Sequence, residues 1–382
     1  MKIGFYAPLK PPDSPIPSGD RQMAKLLLSS LRSQGHDVRL LSRFKSREPD
    51  GVSEIQKKIS ARGNRICNNL IKKFIAKEAW RPDLWFTYHM FYKAPDFLGP
   101  KVSEALGIPY VVAEASHAPK RANGRWRVFH QQIEKTFAHA DLIIGLNSND
   151  RACVQKVIKN HAYYAELKPF VRSIGQPNSH GKKFGLRQTL KQKHGIPLDS
   201  IWLLTVGMMR QGAKLKSYKV LADALKRLST DKNWNIIIIG DGPQRAEVEN
   251  LFNKNTFFIG ELLPGLLSSY YDAADLFLWP AVEEAYGMAL LEAQFAGLPA
   301  IAGNSGGVKD ILRDEVTGLL CEEGDAVDFA RATDVLLESS TLREKMSMNA
   351  HMIMNQEHDF KSNSEKLGVL IRHACQRYKI KK

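Results

Sequence analysis

The chain predicts an α/β protein built as two Rossmann-like domains. Two observations carry this prediction. Short apolar runs alternate with longer amphipathic stretches through both halves, and 382 residues suffice for two separate cores. In the first half the runs are Ile3–Ala7, Val38–Leu41, Leu84–Tyr88, Tyr110–Ala113 and Leu142–Leu146; in the second they are Trp202–Val206, Ile236–Ile239, Phe257–Ile259, Leu276–Trp279 and Ala300–Ala302. Buried strands spaced by helices imply parallel sheets covered on both faces. The Gly-, Pro- and Lys-rich stretch from Ile174-Gly-Gln-Pro177 to Gly195-Ile-Pro197 marks the boundary. Residues 1–178 then form one domain and 198–358 the second, while 359–382 form a terminal helix with Leu367, Leu370, Ile371 and Ala374 on one face. Ligands of open parallel sheets collect beyond the carboxyl ends of the strands, so two facing sheets imply an interdomain cleft.

Composition narrows the class. Apolar content of 43% and charged content of 25% are those of an ordinary globular protein. Met1–Pro8 is apolar for too short a run to be a signal peptide, and no run approaches the roughly 20 apolar residues of a membrane span. Cys67, Cys153, Cys321 and Cys375 lie far apart with no CxxC pair, which argues against a zinc or redox motif and points to a reducing cytosol.

Charge is unevenly divided. Residues 1–180 hold 29 Lys+Arg against 15 Asp+Glu, whereas the remainder holds 26 against 25, within a total of +15. A basic first domain suits anionic lipid, nucleic acid or a phosphorylated substrate. Residues 55–80 set Ile55, Ile59, Ile66, Leu70 and Phe74 at helical spacing among Lys57, Lys58, Arg62, Arg65, Lys72, Lys73 and Lys77. Two readings stand: an interfacial helix on an anionic membrane, or a sheet-covering helix with a solvated basic face. No basic motif interleaved with aromatics is present, so nucleic acid is not an expected partner.

The most informative stretch runs from Pro280 to Pro299, PAVEEAYGMALLEAQFAGLP. Glu284 and Glu292 stand eight positions apart around a strand-to-helix turn. Glu292 lies on a helix apolar over most of its circumference, where an ionised carboxylate needs a polar partner to offset lost hydration. Ribose or hexose hydroxyls would serve.

This pattern, Glu284-x7-Glu292 with Ala285-Tyr286-Gly287, resembles the Glu-x7-Glu signature of retaining glycosyltransferases of family 4. Further landmarks follow in order: Val206-Gly207 with Arg210 and Lys216, Ile239-Gly-Asp-Gly-Pro243, Phe258-Ile-Gly260, Ala296-Gly-Leu-Pro299, Ser305-Gly-Gly307 and Thr317-Gly-Leu-Leu320. The resemblance implies the two-domain GT-B fold, a nucleoside-diphosphate sugar as donor, and a glycan or glycolipid acceptor. It also implies cell-surface polysaccharide, lipopolysaccharide or glycolipid assembly at the cytoplasmic face of a membrane.

By the same resemblance Arg210 and Lys216 meet the leaving diphosphate, Glu292 accepts from the ribose hydroxyls and Glu284 from those of the sugar. Gly207, the backbone at Gly260 and Glu261, and Tyr286, Gly287, Met288 and Ala289 complete the donor contacts. Charge growing on a departing diphosphate is stabilised by cations and helix N-termini. Gly19, in the loop Pro11–Asp20, approaches the diphosphate beside Ser18. A histidine close to the transferred sugar is His117 or His89, and Glu114 is an alternative acceptor contact. No Asp-x-Asp triplet and no clustered His or Asp ligands are visible, so no metal or other cofactor is expected. A phosphorylase or soluble disaccharide-forming enzyme on the same fold is the competing reading. A basic nucleic-acid-binding protein is a distant third.

Overall fold

The structure, a computed structural model, describes residues 1–76, 80–172 and 180–381. Ile174–Pro177, where the sequence places the start of the boundary, and Lys77 of the basic segment lie outside the described residues. The chain divides into two compact units, residues 1–170 with 360–382, and residues 171–359.

The first unit holds β1 (Lys2–Tyr6), β2 (Asp37–Ser42), β3 (Leu84–Met90), β4 (Tyr110–Ala115), β5 (Leu142–Gly145) and β6 (Tyr163–Glu166). They form a parallel sheet in the order β2-β1-β3-β4-β5-β6. The second unit holds β7 (Ile201–Val206), β8 (Trp234–Ile239), β9 (Thr256–Gly260), β10 (Leu276–Trp279), β11 (Ala300–Gly303) and β12 (Gly318–Cys321), all parallel and ordered β12-β11-β10-β7-β8-β9. Strands β4, β5 and β10 are buried along their whole length, as strands covered on both faces must be. The order reverses between β1 and β3 in one sheet and between β7 and β10 in the other. These switch points open a crevice at the carboxyl ends of the strands, and they position everything that follows.

Two strands escape the sequence reading. Both β6 and β12 are sheet edges, and most of their residues are half-buried, so neither shows a continuous apolar run. The stretch after residue 179, read from sequence as part of the boundary, is the helix His180–His194. Its glycines and weak apolar periodicity hide it. Charge pairs hold it to the second unit: Lys182 to Asp272 at 3.2 Å, Lys183 to Asp275 at 2.8 Å, and Arg187 to Asp275. Burial alone would raise the Asp275 carboxyl, but Lys183 and Arg187 outweigh it and hold the group below its ordinary range.

The basic segment forms the helix Ser53–Ile75. Ile59, Ile66 and Leu70 pack with Cys67 and Phe74 against a core that includes Phe44, Phe97 and Leu98. Lys57, Lys58, Arg62, Arg65, Lys72 and Lys73 are exposed. Most of the apolar stripe is therefore covered by the first unit's core, while Ile55 at its start is exposed. The helix Phe360–Lys381 packs on Gly19–Ser33, and the Tyr163 hydroxyl donates to the Leu370 carbonyl at 3.0 Å. It brings six more Lys+Arg to the first unit, which with Lys382 carries 35 Lys+Arg against 16 Asp+Glu; the second carries 20 against 24. Among the described residues no helix is long and apolar enough to cross a membrane.

Candidate functional site

In the second unit the chain leaves β10 at Trp279 and enters a strained loop, with Ala281 at φ 53° and Glu283 at φ 50°. Non-glycine residues held there cost about 1–3 kcal/mol each and persist only where their surroundings dictate the conformation. Here the loop after β11 dictates it. The Glu284 amide donates to Ser305 Oγ at 3.2 Å, and the Gly307 amide donates to the Ala285 carbonyl at 2.7 Å. A Cβ on Gly306, itself at φ 52°, would lie 2.0 Å from the Glu284 carbonyl oxygen, so only glycine permits this approach. The Glu283 amide donates to Glu323 Oε1 at 2.7 Å.

Glu284 thereby points its carboxylate at β7. Trp279 Nε1 donates to Glu284 Oε2 at 3.0 Å, Lys214 Nζ pairs with the same oxygen, and that ammonium sits 4.8 Å over the Trp279 ring. Lys216, the lysine that the resemblance sets at the diphosphate, pairs with exposed Glu283 at 2.5 Å. Both lysines lie on the helix Ala213–Lys226, and two positions on a helix are about 200° apart, so they cannot serve one carboxylate equally. Arg210, just ahead of that helix, is exposed.

Glu292 rides the helix Met288–Phe295, which Gly287 opens at φ 78° with Met288 and Ala289 in its first turn. Its partner on an apolar helix is protein: the Tyr271 hydroxyl donates to Glu292 Oε2 at 3.0 Å. Burial, with the Glu292 charge adding to it, pushes the Tyr271 hydroxyl well above its ordinary value, so it remains a donor at any physiological pH. Tyr286 is buried beneath the turn.

Gly207 follows β7, accepting from the Tyr218 hydroxyl at 2.7 Å and donating to the Ile239 carbonyl at 2.9 Å. A Cβ on Gly240 would lie 1.9 Å from the Gly207 carbonyl oxygen, and Met209 exchanges amide bonds with Asp241 and Gln244 at 2.9 Å. The Gly240-Asp-Gly turn is thus a brace for the loop after β7. Gly260 ends β9 at φ 85°, and Glu261 beyond it is exposed. Gly207, Glu284 and the Ser305–Gly307 loop therefore gather at the carboxyl ends of β7, β10 and β11, across the switch point.

The first unit has its own cluster at the β1/β3 switch. His89, at φ 57° near the end of β3, places Nδ1 3.1 Å from Asp20 Oδ1 and 3.9 Å from Glu114 Oε2, and Glu114 sits at φ 58° in β4. Burial opposes a charge on His89, but Glu114 and Asp20 outweigh it and raise the imidazole to about 9. Ser18 caps the helix Gly19–Ser33 by accepting from the Arg21 amide at 3.2 Å, which accounts for Ser18-Gly19 as a helix start. His117 is turned elsewhere. Its Nε2 lies 2.5 Å from Glu134 Oε1, and its ring packs on His130 and Phe137. His130 is lowered from its ordinary value, by burial first. His117, His130 and Glu134 form a group of three metal-ligand types, contrary to the absence of clustered ligands read from sequence. Separations of 13 and 4 residues conceal it.

Lys214, Trp279, Tyr271 and Asp20 touch the candidate residues Glu284, Glu292 and His89 and have no assigned role at the level of sequence. Asp20 and Trp279 flank motifs that are legible. Tyr271 bears no local signal, since it meets Glu292 only through packing of two helices.

Residues 187–352 match the family described as "Glycosyl transferases group 1". This segment resembles the group 1 glycosyl transferases. A curated relative, the sulfoquinovosyl transferase SQD2 of Arabidopsis thaliana, is 31% identical over 253 residues, covering 64% of this chain and 48% of the relative. The chain spans about half the length, or less, of the curated relatives it matches. Sucrose-phosphate synthase from Thermosynechococcus elongatus shares the fold with a TM-score of 0.73 at 17% identity, over 98% of both chains. HepE of Anabaena, solved in complex with UDP, matches with a TM-score of 0.73 at 15% identity over 98% of this chain and 100% of its own. Both parallel six-stranded units of this chain are thus those of the GT-B fold.

Proposed function

We propose that the protein transfers a sugar from a nucleoside-diphosphate donor to a hydroxyl of a glycan or glycolipid acceptor, with retention at the anomeric carbon. The observation that carries this reading is the Glu284 carboxylate, held by Lys214 and Trp279 beside the start of the Met288–Phe295 helix within the segment that matches the family. A donor entering there would find a cation for its diphosphate, a helix start, and two carboxylates for hydroxyls. Glu284 would accept from the sugar and Glu292 from the ribose, with Arg210 and either Lys214 or Lys216 on the diphosphate. Gly207, Gly260 and Glu261 would border the base and phosphates.

His89 with Asp20 and Glu114 is our assignment for acceptor contact, in preference to His117, whose ring already faces Glu134. Transfer of this kind needs no protein nucleophile and, in our reading, no metal. The basic surface of the first unit would favour a peripheral encounter with an anionic membrane at the cytoplasmic face, as glycolipid assembly requires.

Thermal unfolding with UDP, GDP, ADP and their common sugars, each with and without EDTA, tests this proposal. A ligand at 100 times its Kd stabilises the native state by about 2.7 kcal/mol. The proposal expects one nucleotide family to raise the unfolding temperature by the same margin in EDTA. Absence of any shift across the panel would count against it.

A further inference from the structure

The first unit contains a ligand set that sugar transfer does not use. His130 and Glu134 are one helical turn apart on Arg127–His139, so their side chains share a face. His117 comes to that face from the segment after β4. The three ligand atoms lie within 4.8 Å of one another. Both imidazoles are more than nine-tenths buried, and each has one buried nitrogen, His117 Nδ1 and His130 Nε2, with no hydrogen-bond partner among the described residues. Buried polar atoms left in this way are uncommon, and each asks for an explanation. A hydrogen bond between His117 and Glu134 explains only one side of the group, because His130 Nε2 stands 3.8 Å from Glu134 Oε1, outside hydrogen-bond range.

We infer that His117, His130 and Glu134 bind a divalent transition metal ion of the zinc class. Two neutral imidazoles and one carboxylate form a donor set that suits zinc and its neighbours, and three protein ligands leave a position for water. Ligands about 2.0 Å from a tetrahedral ion lie about 3.3 Å apart, so the set closes on an ion if the His117–Glu134 contact opens by under 1 Å and His130 draws in towards both Glu134 and His117, from atoms that lie within 4.8 Å of one another. Entry is available, because the Glu134 side chain is half-exposed and borders a surface cavity of about 510 Å³ shared with Lys135, Lys156 and Lys159. Those lysines would favour an anion as the fourth ligand. The ion would fasten the segment after β4 to the helix Arg127–His139. It touches none of the donor residues, so the inference stands or falls separately from the proposed transfer.

The test is a cobalt(II) titration of the metal-stripped full chain, followed by visible absorption. We expect one equivalent to bind with the intense bands of a low-coordinate ion, and zinc to displace it. Glu134→Gln should weaken binding at least tenfold, His130→Ala should abolish the bands, and surface His351→Ala should change neither. If His130→Ala does not fold, Glu134→Gln decides, since its side chain reaches solvent. Absence of such bands in the native chain, or equal cobalt affinity in Glu134→Gln, would overturn the inference.

Discussion

Lys214 and Trp279 share one carboxylate oxygen of Glu284: the indole donates to Oε2 at 3.0 Å, and the ammonium pairs with the same atom while lying 4.8 Å above the indole ring. Glu284 is thereby satisfied before any ligand arrives. Because Lys214 lies on the helix after β7 and Glu284 in the loop after β10, their pair lies across the sheet's switch point, where a diphosphate and a sugar would draw the cation and the carboxylate to separate partners.

Glu284→Gln separates these roles. An amide keeps the shape but loses the charge-assisted bonds, worth about 1.5–3 kcal/mol each. Turnover of the donor should fall at least tenfold, with affinity for the bare nucleoside diphosphate changed less than threefold, as measured by product release and calorimetry. A loss confined to diphosphate affinity would move Glu284 out of the sugar position.

Gly306→Ala tests the brace that builds the loop. The added Cβ would meet the Glu284 carbonyl oxygen at 2.0 Å, and the residue sits at φ 52°. We expect a loss of about 2–3 kcal/mol in urea unfolding, the range of backbone clashes combined with an unfavourable left-handed residue. Stability within about 0.5 kcal/mol of the parent would mean that the two loops are not locked together.

His89 carries the pH dependence. Its folded value of about 9 exceeds the value of about 6.5 expected in the unfolded chain, so its contribution to stability is complete below that lower value and is lost as pH rises through the folded one. Proton NMR of the imidazole should show a charged ring at neutral pH, and Asp20→Asn should lower the titration midpoint. A midpoint near 6.5 in the parent, unmoved by Asp20→Asn, would contradict the cluster.

Legibility in the sequence followed burial. Strands such as β5 and β10, apolar on both faces, announce themselves, and so do the glycine turns that follow strands of the second sheet. Edge strands β6 and β12, half-solvated, do not, and the helix His180–His194 is held by ion pairs that no periodicity encodes. At the candidate site, spacing found Glu284 and Glu292 because both lie on one strand-loop-helix unit. It could not choose Lys214 over Lys216 as the partner of Glu284, because that depends on where the helix begins. Nor could it find Tyr271, or the meeting of His117 with His130 and Glu134, since those contacts arise from packing between separate elements.

The most direct measurement is calorimetric titration of the parent and Glu292→Ala with the nucleotide that gives the largest thermal shift. Removing a carboxylate that accepts from ribose should weaken binding at least tenfold, or about 1.4 kcal/mol, while the free variant stays folded and loses about 1–3 kcal/mol of stability for the Tyr271 hydroxyl left unpaired. Equal affinity in the two proteins would remove Glu292 from the donor site and with it the central claim that the second unit holds the nucleotide sugar.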